Sequence, residues 1–138
     1  MIYLAHPNAQ KERGAALTAD LRARGYDVIN PFERPMQTRL NAVIASGEAF
    51  TEEHCRAIVE GDLAQVRKAG MVVAIINGVN QVGTLMEVFY ASYILHKPVV
   101  VLYEMDYTGN GKYHPWIQYL TDIQHTWDDV IAALEVLK

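Results

Sequence analysis

The stretch MVVAIINGVNQVGTLMEVFYASYILHKPVVVLY, residues 71–103, decides the fold. Its two ends, Met71–Ile76 and Pro98–Tyr103, are continuously apolar, whereas a strand with one wet face alternates. Strands covered by helices on both faces read this way, and such strands belong to parallel sheets. Between them, Thr84–His96 carries apolar residues nearly all round a helical period and ends at the Lys97-Pro98 pair. Strand, helix and strand in succession make one βαβ unit.

Working outward, Ile2–Ala5 and Tyr26–Asn30 read as two earlier strands and Ile123–His125 as a short fifth. Ala9–Arg24 reads as a helix with Asn8 as its N-cap and Gly25 as its stop. Thr51–Ala69 is a second helix, capped by Thr51 and closed by Gly70. Asp128–Leu137 is a last one, with Thr126 and Asp129 spaced like a capping box. Met36–Ala49 fits either a long loop or a short helix, and Gly109-Asn-Gly111 reads as a tight turn rather than a phosphate cradle. Alternating strands and helices predict an α/β fold: a doubly wound, five-stranded parallel sheet of flavodoxin-like order 2-1-3-4-5, with residues 1–138 as a single domain.

Composition narrows the function. The chain has 138 residues, 51% apolar and 20% charged, with a net charge of −4, which excludes intrinsic disorder. No basic stripe is present, so no nucleic-acid partner is expected. The single cysteine, Cys55, has no intrachain partner, which suits a reducing compartment. No basic-then-apolar leader opens the chain, and Gly70, Asn77, Gly78, Asn80, Gln81 and Gly83 interrupt the apolar run Ala69–His96. A soluble cytoplasmic protein with no membrane partner is expected.

In a doubly wound sheet the ligand lies beyond the carboxyl ends of the strands, where the winding reverses. For this order that point falls between the first and third strands, which makes His6–Gln10 and Asn77–Gly83 the candidate loops. Neither holds a G-x-G-x-x-G or a Walker lysine, so a dinucleotide or NTP is not expected. Glu87 is the one charged residue between Ala69 and His96, among apolar Leu85, Met86, Val88, Phe89, Ala91 and Ile94. A carboxylate on a helix buried on most faces loses solvation and does not persist without a partner. The nearby helix N-terminus offers one, and an ionised, positioned carboxylate there makes a nucleophile or general base. The alternative is a structural carboxylate that caps the preceding loop.

Asp62 falls within the apolar stripe Cys55, Ile58, Val59, Leu63 and Val66 and is directed inward. It reads equally as a functional group, a buried cap or the partner of an arginine. Tyr3 lies on the strand face opposite Ile2 and Leu4; taken alone it is a core tyrosine with a satisfied hydroxyl. The histidines His6, His54, His96, His114 and His125 show no i, i+4 pair, and no metal is expected. Cys55 is not a dyad with its neighbour His54 and reads as core.

These residues, in this order, resemble the nucleoside 2-deoxyribosyltransferase family along nearly the whole chain. The matching pieces are Ile2-Tyr-Leu-Ala5, Gly25-Tyr-Asp-Val28 with Pro31, and Gly61-Asp-Leu63. They continue with Gln81-Val-Gly-Thr-Leu-Met-Glu87, Tyr90-Ala91 and Lys97-Pro98. The resemblance implies a flavodoxin-like fold, no cofactor, and base exchange at the anomeric carbon of a deoxynucleoside, with nucleosides and free nucleobases as partners. Glu87 would match the nucleophile that forms a covalent deoxyribosyl-enzyme, Tyr3 the tyrosine that orients it, and Asp62 the acid that serves the departing and incoming bases. The substrate-binding residues expected on this reading are Ala5, His6, Phe32, Gln81, Gly83, His114 and Trp116.

Two departures bear on substrate. Gln81 stands where the family often carries an aspartate, six residues before the nucleophile. His114-Pro115-Trp116 is the nearest match to an Asn-Pro-Met segment that in relatives reaches the neighbouring subunit's site and binds a 5′-hydroxyl. A histidine there reads a 5′-hydroxyl or, when cationic, a 5′-phosphate, which leaves open the N-glycosidases that hydrolyse nucleosides or nucleoside monophosphates with the same glutamate. The lack of a serine-rich loop after the first strand favours the nucleoside. Phe89, Tyr90, Tyr93 and Trp116 are a large apolar burden, which points to a homo-oligomer with shared sites. A non-catalytic nucleotide sensor is the remaining alternative, and transfer differs from hydrolysis only in how well water is kept out.

Overall fold

Five short strands, β1 (Ile2–Ala5), β2 (Val28–Ile29), β3 (Met71–Ile76), β4 (Val99–Tyr103) and β5 (Asp122–Gln124), pair in parallel in the order β2-β1-β3-β4-β5. The structure is a computed structural model that describes residues 1–105 and 113–138, with the side chains of 36–39 left out. The turn read at Gly109–Gly111 lies outside the described residues. The order is the expected flavodoxin-like one, and it puts the winding reversal between β1 and β3, where Tyr3 pairs with Val72 and Ala5 with Ala74.

Helices α1 (Lys11–Ala23), α2 (Met36–Ser46), α3 (Glu52–Lys68), α4 (Val82–Phe89), α5 (Pro115–Leu120) and α6 (Trp127–Val136) cover the two faces. Strand alternation divides the core. Ile2, Leu4, Val73, Val100 and Leu102 pack against Leu21 of α1 and Val130 and Leu134 of α6. Tyr3, Ala5, Val72, Ala74 and Val101 point the other way, onto Val66 of α3 and Val88 of α4. Tyr3 and α4 therefore share one face of the sheet, although 84 residues separate Tyr3 from Glu87.

Several boundaries differ from the sequence reading for local reasons. The first helix opens as a 3-10 turn at Asn8–Gln10, and Asn8 makes no side-chain cap. Strand β2 keeps only two residues, because only Val28 and Ile29 reach the β1 edge. Strand β5 begins one residue earlier than read, at Asp122. Met36–Ser46 is a helix, stopped by Gly47 in the left-handed region at φ 72°. Helix α5 was not anticipated: at six residues it is too short to show a period, though Pro115 occupies its first turn. The other two expected caps are present, since Thr51 accepts the His54 N–H at 3.1 Å and Thr126 accepts that of Asp129 at 3.1 Å.

Two burial expectations are overturned. Cys55 is exposed, and of the stripe on α3 only Val66 is fully buried; the helix rests on its C-terminal half. Helix α4 is not covered on most faces either: Val82 and Met86 are 69% and 64% exposed, because nothing described packs on that side. After Phe89 the chain widens into a π-type turn, Tyr90–Ile94, in which the Leu95 N–H donates to the Tyr90 carbonyl at 3.0 Å. Lys97 then closes the end of α3, its Nζ donating to the carbonyls of Val66, Arg67 and Ala69 at 3.0, 2.6 and 2.5 Å. Among the described residues no helix is long and apolar enough to cross a membrane.

Candidate active site

The site is built where β1 meets α4. Tyr3 is fully buried, and its hydroxyl donates to Oε2 of Glu87. Glu87 is 9% exposed and opens on a cavity of about 220 Å³ beyond the carboxyl end of β1. Burial pushes the Glu87 carboxyl up to about 8, and the charge of Asp62 adds to the rise; the Tyr3 hydrogen bond and Arg34 pull against it. The same burial drives the Tyr3 hydroxyl well above its ordinary range, so it stays a donor. Stabilisation of an anion by the helix N-terminus does not materialise: Glu87 is the sixth residue of α4, past the turn whose N–H groups are free.

Asp62 faces the same cavity from α3. Its carboxylate takes an ion pair from Arg34, whose Nε donates to the Pro31 carbonyl at 3.3 Å. Burial nonetheless raises the Asp62 carboxyl, outweighing the arginine. A side chain on Gly61 would collide with the Arg34 guanidinium, so glycine before Asp62 is what lets the arginine lie across α3. Of the readings offered by the sequence, the arginine partner is present, and Asp62 also lines the cavity beside Glu87.

The opposite wall is a locked polar chain. Asn30 Oδ1 accepts the Phe32 N–H at 3.0 Å and lies 3.1 Å from His6 Nε2. Asn30 Nδ2 donates to Thr18 Oγ1, which donates to the Gly14 carbonyl at 2.7 Å. With the Asn30 amide oriented this way, His6 carries its proton on Nε2, and burial lowers its pKa and keeps it neutral. The imidazole stacks on Phe32 with ring centroids 4.6 Å apart. It also lies so close to α1 that a Cβ on Gly14 would strike the ring. Leu40 and Ile44 of α2, with Phe50 and Ile58, supply the apolar side.

Of the residues singled out in the sequence, Glu87, Asp62, His6, Phe32 and Gly83 meet at this cavity, with Tyr3 behind Glu87. Four do not. Ala5 is buried within β1 and contributes no side chain to the cavity. Gln81 turns back to accept the Gly78 N–H at 2.8 Å. Together with His114 and Trp116 it lines a second, apolar cavity of about 390 Å³ against another face of α4. Sequence reading missed Arg34, Thr84 and the α2 wall; the i, i+4 spacing of Leu40 and Ile44 was the available signal for the last. No group of three or more His, Cys, Asp or Glu is placed to hold a metal among the described residues.

Residues 2–115 match the sequence pattern of the family described as nucleoside 2-deoxyribosyltransferase. The chain belongs to that family. A 2-deoxyribosyltransferase from the psychrotolerant bacterium Bacillus psychrosaccharolyticus is 27% identical, with 94% of this chain and 88% of that one superposed at a TM-score of 0.63. The CMP N-glycosidase of Clostridium botulinum is 19% identical over 99% and 98% of the two chains, at a TM-score of 0.59, a likeness of fold. No curated protein sequence matches the chain. The stretch matched to the nucleoside 2-deoxyribosyltransferase family holds Tyr3, Asp62 and Glu87 and ends at Pro115, before β5 and α6, neither of which lines the cavity.

For this family member the buried glutamate has a stability consequence of definite sign. An ordinary glutamate releases its proton near 4.5, whereas folded Glu87 holds its proton to about 8. Stability from this group is fully present below 4.5 and is lost as pH rises towards about 8. Glu87→Gln, which carries no charge, is expected to gain melting temperature over the native chain as the buffer moves from pH 5 to pH 8. Thermal melts of both proteins at the two pH values check this, and an offset that ignores pH contradicts it.

Proposed function

We propose that this chain exchanges the nucleobase of a 2′-deoxynucleoside through a covalent deoxyribosyl intermediate on Glu87. One observation carries the reading: a buried carboxylate, held at one oxygen by Tyr3, faces a cavity that also presents Asp62. With Oε2 engaged by Tyr3, Oε1 is the attacking atom. It bonds to C1′ from the face opposite the base as the C1′–N bond breaks, through an oxocarbenium-like transition state. The bonding pair leaves on the base nitrogen, which takes the proton of Asp62. An incoming base then gives its ring proton to Asp62, its nitrogen attacks C1′, and Glu87 departs as a carboxylate. Two inversions give net retention, and no cofactor is consumed.

The lining supports an uncharged substrate. Among the described residues Arg34 is the cavity's cation, and it is already paired with Asp62. Burial lowers the pKa of His6, so it offers no second cation, and the negative charge that the Asp62–Glu87 pair keeps opposes a 5′-phosphate. The stacked Phe32 and the apolar α2 wall suit a planar base. A homo-oligomer belongs to the same proposal, since Val82, Met86, Tyr93, Trp116 and Tyr119 leave an apolar surface exposed around α4 and α5. His114 and Trp116 line the second cavity and not the one that holds Glu87, and in this proposal they serve the site of a neighbouring copy. The unpaired Cys55 and the lack of a membrane helix among the described residues are in keeping with a cytoplasmic enzyme.

The test is chromatography of the protein with deoxyinosine and free cytosine, beside a sample of deoxycytidine monophosphate alone. Deoxycytidine and hypoxanthine are expected in the first. Cytosine released from the monophosphate without exchange would replace transfer by nucleotide hydrolysis. No product in either sample would overturn the enzymatic reading in favour of a sensor.

A further inference from the structure

Thr84 is 2% exposed, and its Oγ1 has no hydrogen-bond partner among the described residues. The contrast within the chain is instructive. Thr18 and Thr121 each donate to the carbonyl four residues back, at 2.7 and 2.6 Å, whereas Thr84, which lines the cavity that holds Glu87, leaves its buried hydroxyl unpaired among the described residues. Burying an unbonded hydroxyl is unfavourable, so an orphan at a cavity wall marks a place where a ligand completes the bond. Thr84 precedes Glu87 by three residues on α4, so the two side chains lie on one helix face, about 4.5 Å apart along the axis.

The stereochemistry of the sugar says which ligand atom that is. In a β-D-nucleoside the base and C5′ project from one face of the furanose and the 3′-oxygen from the other. Glu87 must approach C1′ from the face opposite the base, which is the face bearing the 3′-oxygen. In a 2′-deoxy sugar the 3′-hydroxyl is the sole ring hydroxyl there. We propose that Thr84 Oγ1 is the hydrogen-bond partner of the substrate's 3′-hydroxyl, which makes Thr84 a specificity-determining residue for the sugar. The inference rests on the function proposed above and adds the group that reads the furanose.

The experiment compares 2′-deoxyinosine with 2′,3′-dideoxyinosine, each with cytosine as acceptor, in native protein, Thr84→Val and Thr84→Ser. Native protein is expected to prefer the 3′-hydroxyl substrate in kcat/KM by roughly 10- to 100-fold, the value of a buried hydrogen bond whose partner is otherwise left unpaired. That ratio should collapse towards one in Thr84→Val and return in Thr84→Ser. Valine has the same shape and no orphan hydroxyl, so its melting temperature without ligand should not fall below native. Equal losses on both substrates in Thr84→Val, or an undiminished ratio, would overturn the assignment. Equilibrium dialysis of the same two nucleosides provides a readout free of turnover. Discrimination in binding by a protein that does not exchange bases would keep Thr84 and discard the transferase; equal binding of both nucleosides, or of neither, would discard Thr84.

Discussion

Glu87→Ala is expected to lower base exchange by on the order of 10⁴-fold or more, the scale at which a covalent nucleophile fails. The alanine leaves no oxygen within reach of C1′, and Tyr3, whose hydroxyl donates to Glu87 in the native chain, has nothing to orient. The vacated space makes the result specific. Azide added to Glu87→Ala has room to enter where the carboxylate stood, attack C1′ from the same face, and leave a glycosyl azide of inverted configuration. Product analysis by NMR reads that configuration directly. Substantial exchange by Glu87→Ala without any added anion would remove Glu87 from the reaction.

Asp62→Asn is expected to cost on the order of 10²–10⁴-fold, the range for a general acid and base. Its signature lies in the pH profile more than in the magnitude. The two carboxyls face one cavity, both are raised by burial, and the charge of Asp62 raises Glu87 further, so across neutral pH the pair holds a single proton. The proposed mechanism requires that proton on Asp62 and the negative charge on Glu87. The native kcat/KM should therefore be bell-shaped, with an alkaline limb near 8 where the shared proton is lost. In Asp62→Asn the Glu87 carboxyl loses a neighbouring charge and ionises at lower pH, and the alkaline limb disappears. Because a departing base that is already a good leaving group needs little protonation, p-nitrophenyl-like leaving groups should suffer far less than natural bases. A loss that is equal for all leaving groups and all pH values would make Asp62 a structural partner of Arg34 and nothing more.

The sheet was legible from periodicity, and Glu87 and Asp62 stood out by charge, whereas Tyr3 taken alone read as core and was singled out by the family resemblance. Continuous apolar runs bounded by glycine and proline argue for central parallel strands, and a single carboxylate across the 71–103 stretch stands out against them. Arg34 was not legible, since the ion pair spans 28 residues and depends on the space beside Gly61, which no local pattern encodes. Thr84 was hidden for the opposite reason: a threonine in the first turns of a helix is unremarkable until its hydroxyl is found without a partner. Cys55 misled because hydrophobic spacing on α3 describes an apolar stripe without saying how far along the helix the sheet extends. Gln81, His114 and Trp116 came from the family resemblance, and in a single chain they gather at a different cavity.

The residue behind Glu87 belongs to a strand bonded on both sides, Tyr3 pairing with Ile29 of β2 and with Val72 of β3. The backbone that carries the Tyr3 hydroxyl is thus held within the sheet and not in a loop, so it does not shift unless the strand pairing does. Heat should therefore leave no interval in which the protein is still folded but its reactive pair is already misaligned. Loss of turnover and loss of structure become one cooperative event, and the ceiling on working temperature is set by the whole molecule and not by its active site.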